Sequence, residues 1–165
     1  LLQVGILMWI KDNFLDDVDY VRQLALGQNY RTIDTNGKSY YKGHRADVPD
    51  EIYNEVAPKI LEELKLDRAR IEMYFAYQTK DVTTTDEFSK HVDLSDYAGV
   101  IYLTPKPSYG SGTILYNERT ANTNIANKYN RLVAYNSKVL HAPGVCFGDN
   151  INNARMTLTF FIHEA

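Results

Sequence analysis

From residue 71 to the end of the sequence, short runs of β-branched and aromatic residues alternate with turn-forming segments. The runs are IEMYFAYQ, AGVIYLT, GTILYNE, RLVAYNS and MTLTFFIHE, and segments rich in Gly, Pro, Asn and Asp separate them. This alternation is typical of an antiparallel sandwich or barrel, in which many short strands are joined by tight turns. We therefore predict a mostly β core over residues 71–165.

The first seventy residues have a different texture, which predicts a strand followed by supporting helices. The apolar opening LLQVGILMWI is interpreted as a first strand, not a signal peptide. FLDDVDYVRQLALG has apolar residues at helical spacing and ends at Gly27, a common helix stop. VPDEIYNEVAPKILEELKL predicts a second helix that Pro58 should kink or split, because proline lacks a backbone donor. The intervening TIDTNGKSYYKGHRAD is predicted to be a loop with an Asn-Gly turn at residues 36–37.

Composition narrows the classes of function. With 165 residues and 44% hydrophobic content, the chain is long enough for one domain with a proper core, residues 1–165. The net charge of −3 argues against a general nucleic-acid surface, and no apolar run is long enough to cross a membrane. The single cysteine excludes an internal disulfide framework and fits a reducing compartment, so a cytoplasmic location is expected. Oligomeric state is left open.

Two histidines and an aspartate form a candidate metal site. In the segment HVD, alternate residues of an extended chain share a face, so His91 and Asp93 should project into the same space. His141, in SKVLHAPG, is the candidate third ligand. Two histidines and one carboxylate with open positions are the ligand set of non-haem Fe(II) oxygenases. Taken singly, the first pair could equally form a surface turn, and His141 could be a loop residue.

The last predicted strand supplies an independent indication of a ligand. In ARMTLTFFI, Met156 and the apolar residues that alternate with it share one face, whereas Arg155 and Thr157 lie on the other. Burying an arginine and a threonine is costly unless they bind something. A guanidinium with a neighbouring hydroxyl suits a carboxylate, which indicates an anionic co-substrate near the metal. A solvated face of an edge strand is the alternative.

These elements, in this order, resemble the Fe(II)/2-oxoglutarate-dependent dioxygenases, and most closely their prolyl-hydroxylase-like branch. The resemblance covers roughly residues 71–164 and is carried by five segments: HVD, YAGVIYLT, GSGTILY, NRLVAYNSKVLHAP and ARMTLTF. It implies a double-stranded β-helix, or jelly roll, with flanking helices. The loops before His91 and between His141 and Arg155 are longer than is usual for the family, and substrate selectivity would be set there.

The resemblance also implies a role for each site residue. His91, Asp93 and His141 would be the iron ligands and the catalytic centre. Arg155 would bind the far carboxylate of 2-oxoglutarate. The residues expected to assist it, all facing the co-substrate, are Thr157, Tyr102 and Tyr77.

The reaction implied is hydroxylation of an unactivated C–H bond, with Fe(II), 2-oxoglutarate and O2 consumed together. Halogenation is disfavoured, because a halogenating relative would carry a small residue in place of Asp93. The first expectation for the substrate is a prolyl or other amino-acid or peptidyl group, with a small metabolite or a nucleobase as the other options. Two alternatives stay open: a non-catalytic jelly-roll protein that retains a metal, and a metal-cupin enzyme that does not use 2-oxoglutarate.

Overall fold

The computed structural model of the chain describes residues 8–32, 43–82, 90–117 and 121–165. Within these ranges the chain forms ten strands and two helices. The helices are α1 (Val18–Leu26) and α2 (Asp50–Leu64). The strands are β1 (Met8–Lys11), β2 (Arg31–Thr32), β3 (His44–Asp47), β4 (Ala69–Gln78), β5 (Tyr97–Tyr102), β6 (Thr113–Leu115), β7 (Thr123–Ile125), β8 (Leu132–Asn136), β9 (His141–Pro143) and β10 (Arg155–Glu164).

The strands form two antiparallel sheets, which confirms the predicted mostly β architecture with flanking helices. The larger sheet has the order β1-β8-β5-β10-β4-β3-β2, and the smaller has the order β7-β6-β9. All of their pairings are antiparallel. Strand β10 lies at the centre of the larger sheet, between β4 and β5, so it is supported on both sides.

The two faces of the larger sheet have different partners. One face packs against both helices and forms the main apolar core, to which Met156, Leu158, Phe160 and Ile162 of β10 contribute. The opposite face turns toward the smaller sheet, where a second cluster includes Val100, Leu115 and other apolar residues. The alternation predicted for β10 is therefore confirmed. A cavity opens on this second face.

Both predicted helices are present, with the predicted boundaries close to those observed. Asp17 caps α1 by accepting a hydrogen bond from the backbone nitrogen of Tyr20 (3.2 Å), and the helix ends at Gly27. Of the expected kink or split at Pro58, the split is absent, because α2 continues through Pro58 as one helix. Pro58 has no N–H to donate to the carbonyl of Asn54, four residues earlier in the helix. Both residues lie on the solvent side of the helix, so water can donate to that carbonyl instead. Within the described ranges, neither helix has the length and hydropathy to cross a bilayer.

Three short segments taken for loops contain strands. The predicted loop over residues 32–47 includes β3, which pairs with β4 and β2. Strands β7 and β9 also lie in segments that were expected to be turns. The Asn-Gly turn predicted in residues 36–37, and part of the long loop before His91, lie outside the described residues.

An ion pair joins the end of β1 to the start of β8. Arg131 contacts Asp12 through Nε (2.6 Å) and Nη2 (3.2 Å), and Lys128 Nζ adds a contact at 3.2 Å. The hydrogen bond from Arg131 is the main cause that lowers the pKa of Asp12 from 3.8 to about 2. The pair therefore stabilises the fold above pH 3.8, and this contribution is lost as the pH falls through about 2.

We predict that Asp12→Asn lowers the free energy of unfolding at pH 7 by about 1 kcal/mol, a value reduced by the partial exposure of the pair. The difference from the parent protein should shrink as the pH approaches 2, and urea unfolding over this pH range measures it. Asp16→Asn is a matched control, because the carboxylate of Asp16 is 86% exposed in its pair with Lys59. An Asp12→Asn effect that is independent of pH would contradict the assignment.

Candidate metal and co-substrate site

Backbone pairing brings the three predicted metal ligands together. His91 and His141 form an isolated antiparallel bridge, with N–O distances of 2.9 Å and 3.0 Å in the two directions. His141 itself belongs to β9, where it is paired with Leu115 of β6. The backbone nitrogen of Asp93 donates to the carbonyl of Ser137 at 3.0 Å, which fixes the chain two residues beyond His91. The site is thus built on paired backbone.

The ligand atoms of this triad converge on one point. One side-chain atom from each of His91, Asp93 and His141 lies within 4.8 Å of the others. His91 Nε2 is 3.7 Å from Asp93 Oδ1, and His141 Nε2 is 3.0 Å from Asp93 Oδ2. No other group of three such side chains in the described ranges meets this condition. The structure thus brings together all three residues that the sequence pattern selected.

Hydrogen bonding around His141 shows that a cation fits between these atoms. Its Nδ1 lies 2.7 Å from the carbonyl of Val139, which can only accept, so Nδ1 carries a proton. In the neutral imidazole, Nε2 then presents a lone pair to Asp93 Oδ2, which is buried and accepts no hydrogen bond. Two facing acceptors at 3.0 Å are unfavourable unless a proton or a metal ion lies between them. The donor set therefore fits a divalent metal.

Asp93 is held in the ionised form that a metal ligand requires. Burial favours the neutral acid. When a proton lies between Nε2 of His141 and Oδ2, however, the hydrogen bond and charge of His141, together with the charges of His91 and Arg45, outweigh burial and lower the pKa of the Asp93 carboxyl. Tyr135, whose ring centroid is 4.7 Å from that of His141, packs against the same ligand. Burial raises the pKa of Tyr135, so it remains a neutral phenol beside the site.

Arg155 lies in the same cavity and is almost completely buried. Its Nε donates to the carbonyl of Ser111 (2.8 Å), and its Nη2 donates to the carbonyl of Gly112 (2.9 Å). Its Nη1 donates to Gln78 Oε1 at 3.3 Å. All of these acceptors are neutral, and among the described residues no carboxylate forms an ion pair with Arg155. Such a cation is suited to an incoming anion.

Glycines give Arg155 its acceptors by letting two backbone segments approach. A Cβ on Gly112 would lie 1.7 Å from the carbonyl oxygen of Ile125, and one on Gly144 would lie 2.3 Å from that of Gly110. The backbone nitrogen of Gly144 donates to the Gly112 carbonyl at 2.8 Å, which joins the segments leading into β6 and out of β9. The glycines of the Gly110-Ser111-Gly112 motif therefore allow the smaller sheet to close over the Arg155 guanidinium.

The remaining predicted co-substrate residues are placed differently from one another. Thr157 lines the cavity and shares a hydrogen bond with Thr159 (2.8 Å between the hydroxyl oxygens). Tyr102 is fully buried, with its ring centroid 5.7 Å from Arg155 Cζ and its hydroxyl 2.7 Å from that of Thr113. Burial raises the pKa of Tyr102, so it stays a neutral donor.

Tyr77 is not brought to this cavity. It pairs with Met156, whereas its neighbour Gln78 pairs with Arg155, so Tyr77 lies on the helix-facing side of the sheet. There its ring stacks on His44, with centroids 4.5 Å apart, and contacts Tyr30 edge-on at 4.9 Å. Gln78 occupies the place expected for Tyr77. The signal was available, because Tyr77 continues the apolar alternation of Ile71, Met73 and Phe75.

Sequence reasoning also missed two other residues that line the cavity. Tyr135 lies in a run that was recognised as a strand, but its proximity to the metal ligands depends on sheet pairing. Arg45 lies in β3 and was assigned to a loop. The cavity is partly open to solvent and is lined by residues of both sheets.

Comparisons with known proteins support the fold. No family model matches the chain, and no curated protein matches it. Solved structures do match it. A Trichoplax adhaerens prolyl hydroxylase, in complex with a hypoxia inducible factor oxygen degradation domain peptide fragment, aligns with a TM-score of 0.71 and 14% identity over 95% of this chain and 83% of that one.

Two further solved structures agree. A Pseudomonas putida prolyl-4-hydroxylase has a TM-score of 0.60 and 17% identity, covering 97% of this chain and 94% of that one. HygX from Streptomyces hygroscopicus, with nickel, 2-oxoglutarate and hygromycin B bound, has a TM-score of 0.66 and 12% identity, covering 97% and 84%. At these identities the likeness is one of fold, and it confirms the predicted double-stranded β-helix.

We predict that the chain binds one divalent metal and that Asp93→Ala lowers its affinity by a factor of about 100 or more, since it removes a direct ligand. His91→Ala and His141→Ala should act likewise. Asp96→Ala is the matched control, because Asp96 belongs to the same segment but accepts a hydrogen bond from the backbone nitrogen of Glu164 (2.8 Å). Metal content after anaerobic loading with Fe(II), or with Mn(II), measures the result. Unchanged content in all three triad variants would refute the site.

Proposed function

We propose that this chain is an Fe(II)- and 2-oxoglutarate-dependent oxygenase that hydroxylates an unactivated C–H bond. The observation that carries the proposal is that one cavity holds both a His91–Asp93–His141 triad and the buried guanidinium of Arg155. The first is a site for a divalent metal, and the second is a site for a carboxylate. A co-substrate that has oxygen ligands for a metal at one end and a carboxylate at the other would contact both the triad and Arg155.

The fold supports the same proposal. The solved structures with this fold include prolyl hydroxylases and a protein with nickel and 2-oxoglutarate bound. We extend these cofactors to this chain, with residues 1–165 acting as one catalytic domain. His91, Asp93 and His141 would hold the iron, which supplies the activation of O2 when bound.

The chain's own residues would bind and orient the co-substrate. Arg155 would pair with the far carboxylate of 2-oxoglutarate, while keeping Ser111 and Gly112 as fixed acceptors on its other edge. Thr157 lies on the same face of β10 and would donate its hydroxyl to that carboxylate. Tyr102 would act less directly, by packing its ring against the guanidinium. The surrounding apolar side chains exclude water and strengthen these charge pairings.

Asp93 bears on the type of reaction. Asp93 would be a third protein ligand of the metal, and a site for halide transfer would need that ligand replaced by a small residue, so the presence of Asp93 favours hydroxylation. For the substrate, a prolyl or other amino-acid or peptidyl group is the first class to test. The support is the fold shared with two prolyl hydroxylases, one of them in complex with a peptide.

The test is Fe(II)-dependent conversion of 2-oxoglutarate to succinate, measured with and without a panel of amino acids and peptides. Arg155→Gln should weaken 2-oxoglutarate binding by a factor of about 10–100, the loss expected for a charged hydrogen-bond partner, while metal binding stays unchanged. Arg22→Gln is the matched control. Arg22 is partly buried and, like Arg155, donates to backbone carbonyls, those of Leu103 (2.6 Å) and Asn152 (2.9 Å), but it lies on the core side.

The outcomes separate the alternatives. Binding of metal and 2-oxoglutarate without succinate formation under any condition would identify a non-catalytic binding protein. Oxygen consumption that does not require 2-oxoglutarate would identify a different metal-cupin reaction. Equal 2-oxoglutarate affinity in the parent protein and in Arg155→Gln would refute the carboxylate role of Arg155. Arg155 also holds the smaller sheet in place, so its replacement could disturb the fold as well as the binding site. The 2-oxoglutarate affinity of Thr157→Val, which preserves side-chain volume, should therefore be measured as a milder second variant.

A further inference from the structure

Tyr135 is a buried residue of the cavity to which the proposed function gives no role. It lies on β8 opposite Ala98 of β5, and Ala98 lies opposite Phe161 of β10. Side chains at paired positions share a face of the sheet, and all three of these residues line the cavity. Tyr135 is 5% exposed, and its ring centroid is 4.7 Å from that of His141. It therefore lies at the end of the cavity that holds the triad.

The hydroxyl of Tyr135 has no hydrogen-bond partner within the described ranges. Buried phenols usually have one. Tyr102, on the same face of the neighbouring strand β5, has its hydroxyl oxygen 2.7 Å from that of Thr113. Packing against His141 does not account for the Tyr135 hydroxyl, because the ring of a phenylalanine would pack against the imidazole equally well. The hydroxyl is therefore left for a molecule that occupies the cavity.

The chemistry of the hydroxyl indicates which part of such a molecule it would contact. Burial raises the pKa of Tyr135, so the phenol keeps its proton and can donate it to an oxygen atom. Because Tyr135 packs against His141, an oxygen atom within reach of its hydroxyl belongs to a molecule held near the metal. In the proposed enzyme, the metal end of 2-oxoglutarate carries such acceptors, the keto oxygen and the near carboxylate.

We propose that the Tyr135 hydroxyl donates a hydrogen bond to the oxo-acid end of 2-oxoglutarate and so orients that end at the metal. This inference rests on the proposed function and adds to it a binding residue for the near end of the co-substrate. Arg155 would hold the far carboxylate, and Tyr135 would hold the opposite end of the same molecule.

A first test removes the hydroxyl and keeps the ring, in Tyr135→Phe. On the Zn(II)-loaded protein, calorimetric titration should give a dissociation constant for 2-oxoglutarate that is higher by a factor of about 2–15, the loss expected for one neutral hydrogen bond. The affinity for Zn(II) should not change. Tyr97→Phe is the matched control, because Tyr97 also lies in the larger sheet but packs edge-on against Trp9 in the main core, with centroids 5.6 Å apart. Unchanged 2-oxoglutarate affinity in Tyr135→Phe would overturn the inference.

A shorter ligand, 2-oxobutyrate, assigns the contact to one end of the co-substrate, because it has the oxo-acid end but no far carboxylate. NMR titration of the Zn(II)-loaded protein measures its affinity. Tyr135→Phe should weaken 2-oxobutyrate by the same factor as 2-oxoglutarate, whereas Arg155→Gln should weaken 2-oxoglutarate alone. An effect of Tyr135→Phe that is lost with 2-oxobutyrate would assign the hydroxyl to the far carboxylate and contradict the inference.

The free energy of unfolding separates a ligand-binding role from a structural one. Without ligands, the Tyr135 hydroxyl has no partner among the described residues to lose, so Tyr135→Phe should be at least as stable as the parent protein. With Zn(II) and an equal concentration of 2-oxoglutarate, the variant should gain less stability than the parent, because it binds more weakly. Tyr53→Phe is the contrasting variant. The Tyr53 hydroxyl donates to the carbonyl of Ile71 (2.6 Å), so its loss should destabilise the protein with and without ligands.

The outcomes distinguish failure of this inference from failure of the proposed function. If the parent protein bound neither Zn(II) nor 2-oxoglutarate, the proposed function would fail, and this inference with it. If both bound normally and Tyr135→Phe bound 2-oxoglutarate as the parent does, only the inference would fail. A loss of stability in Tyr135→Phe that is the same with and without ligands would show a structural role, and the inference would again be overturned.

Discussion

The hydrogen bonds of the buried Arg155 guanidinium connect the two sheets on which the site is built. Arg155 begins β10 in the larger sheet, and it donates to the carbonyls of Ser111 and Gly112, just before β6 of the smaller sheet. Gly112 also accepts from Gly144, just after β9, so the same contact reaches the strand that carries His141. A group suited to a co-substrate carboxylate thus also sets the distance between that carboxylate and the metal ligands.

The triad depends on the smaller sheet in a similar way. His141 lies in a strand of three residues, and His91 is attached to it by two backbone hydrogen bonds. Such a short pairing is weak in isolation, because few hydrogen bonds offset the ordering of the chain. Closure by Arg155 and by the close approach of the glycine backbones supplies the missing support. The proposed metal site and the proposed carboxylate site are therefore mechanically coupled through the smaller sheet.

Much of this arrangement was predictable from the sequence, where its physical cause is local. The ends of α1 follow from a capping Asp17 and a terminal Gly27, and the two faces of β10 follow from its alternation. The triad followed from residue types, order and a family resemblance. The prediction for Tyr77 was wrong because a shift of one residue moves a strand side chain to the opposite face. The alternation of Ile71, Met73 and Phe75 already indicated that face, and the pairing of Gln78 with Arg155 agrees with it.

Strands β3 and β9 were missed for a different reason. Each is three or four residues long and carries polar or turn-forming residues, so neither shows a period of its own. They are strands because neighbouring strands, β4 and β6, offer them backbone partners. Tertiary pairing overrides local propensity in such cases. Arg45 was assigned to a loop because β3 shows no period of its own. Only the pairing of β3 with β4 shows which face of the sheet its side chain takes.

The division of β10 into two faces explains how the chain can hold so many charges in one cavity. Met156, Leu158, Phe160 and Ile162 are fully buried against the helices, and their burial is worth about 1.5–3 kcal/mol each. The opposite face carries Arg155 and Thr157, which are costly to bury until a ligand pairs with them. Alternate residues of β10 thus face either the apolar core or the cavity. The core therefore remains stable although the side chains that face the cavity are polar. The apolar core can thus offset the electrostatic cost of burying Arg155 on the opposite face.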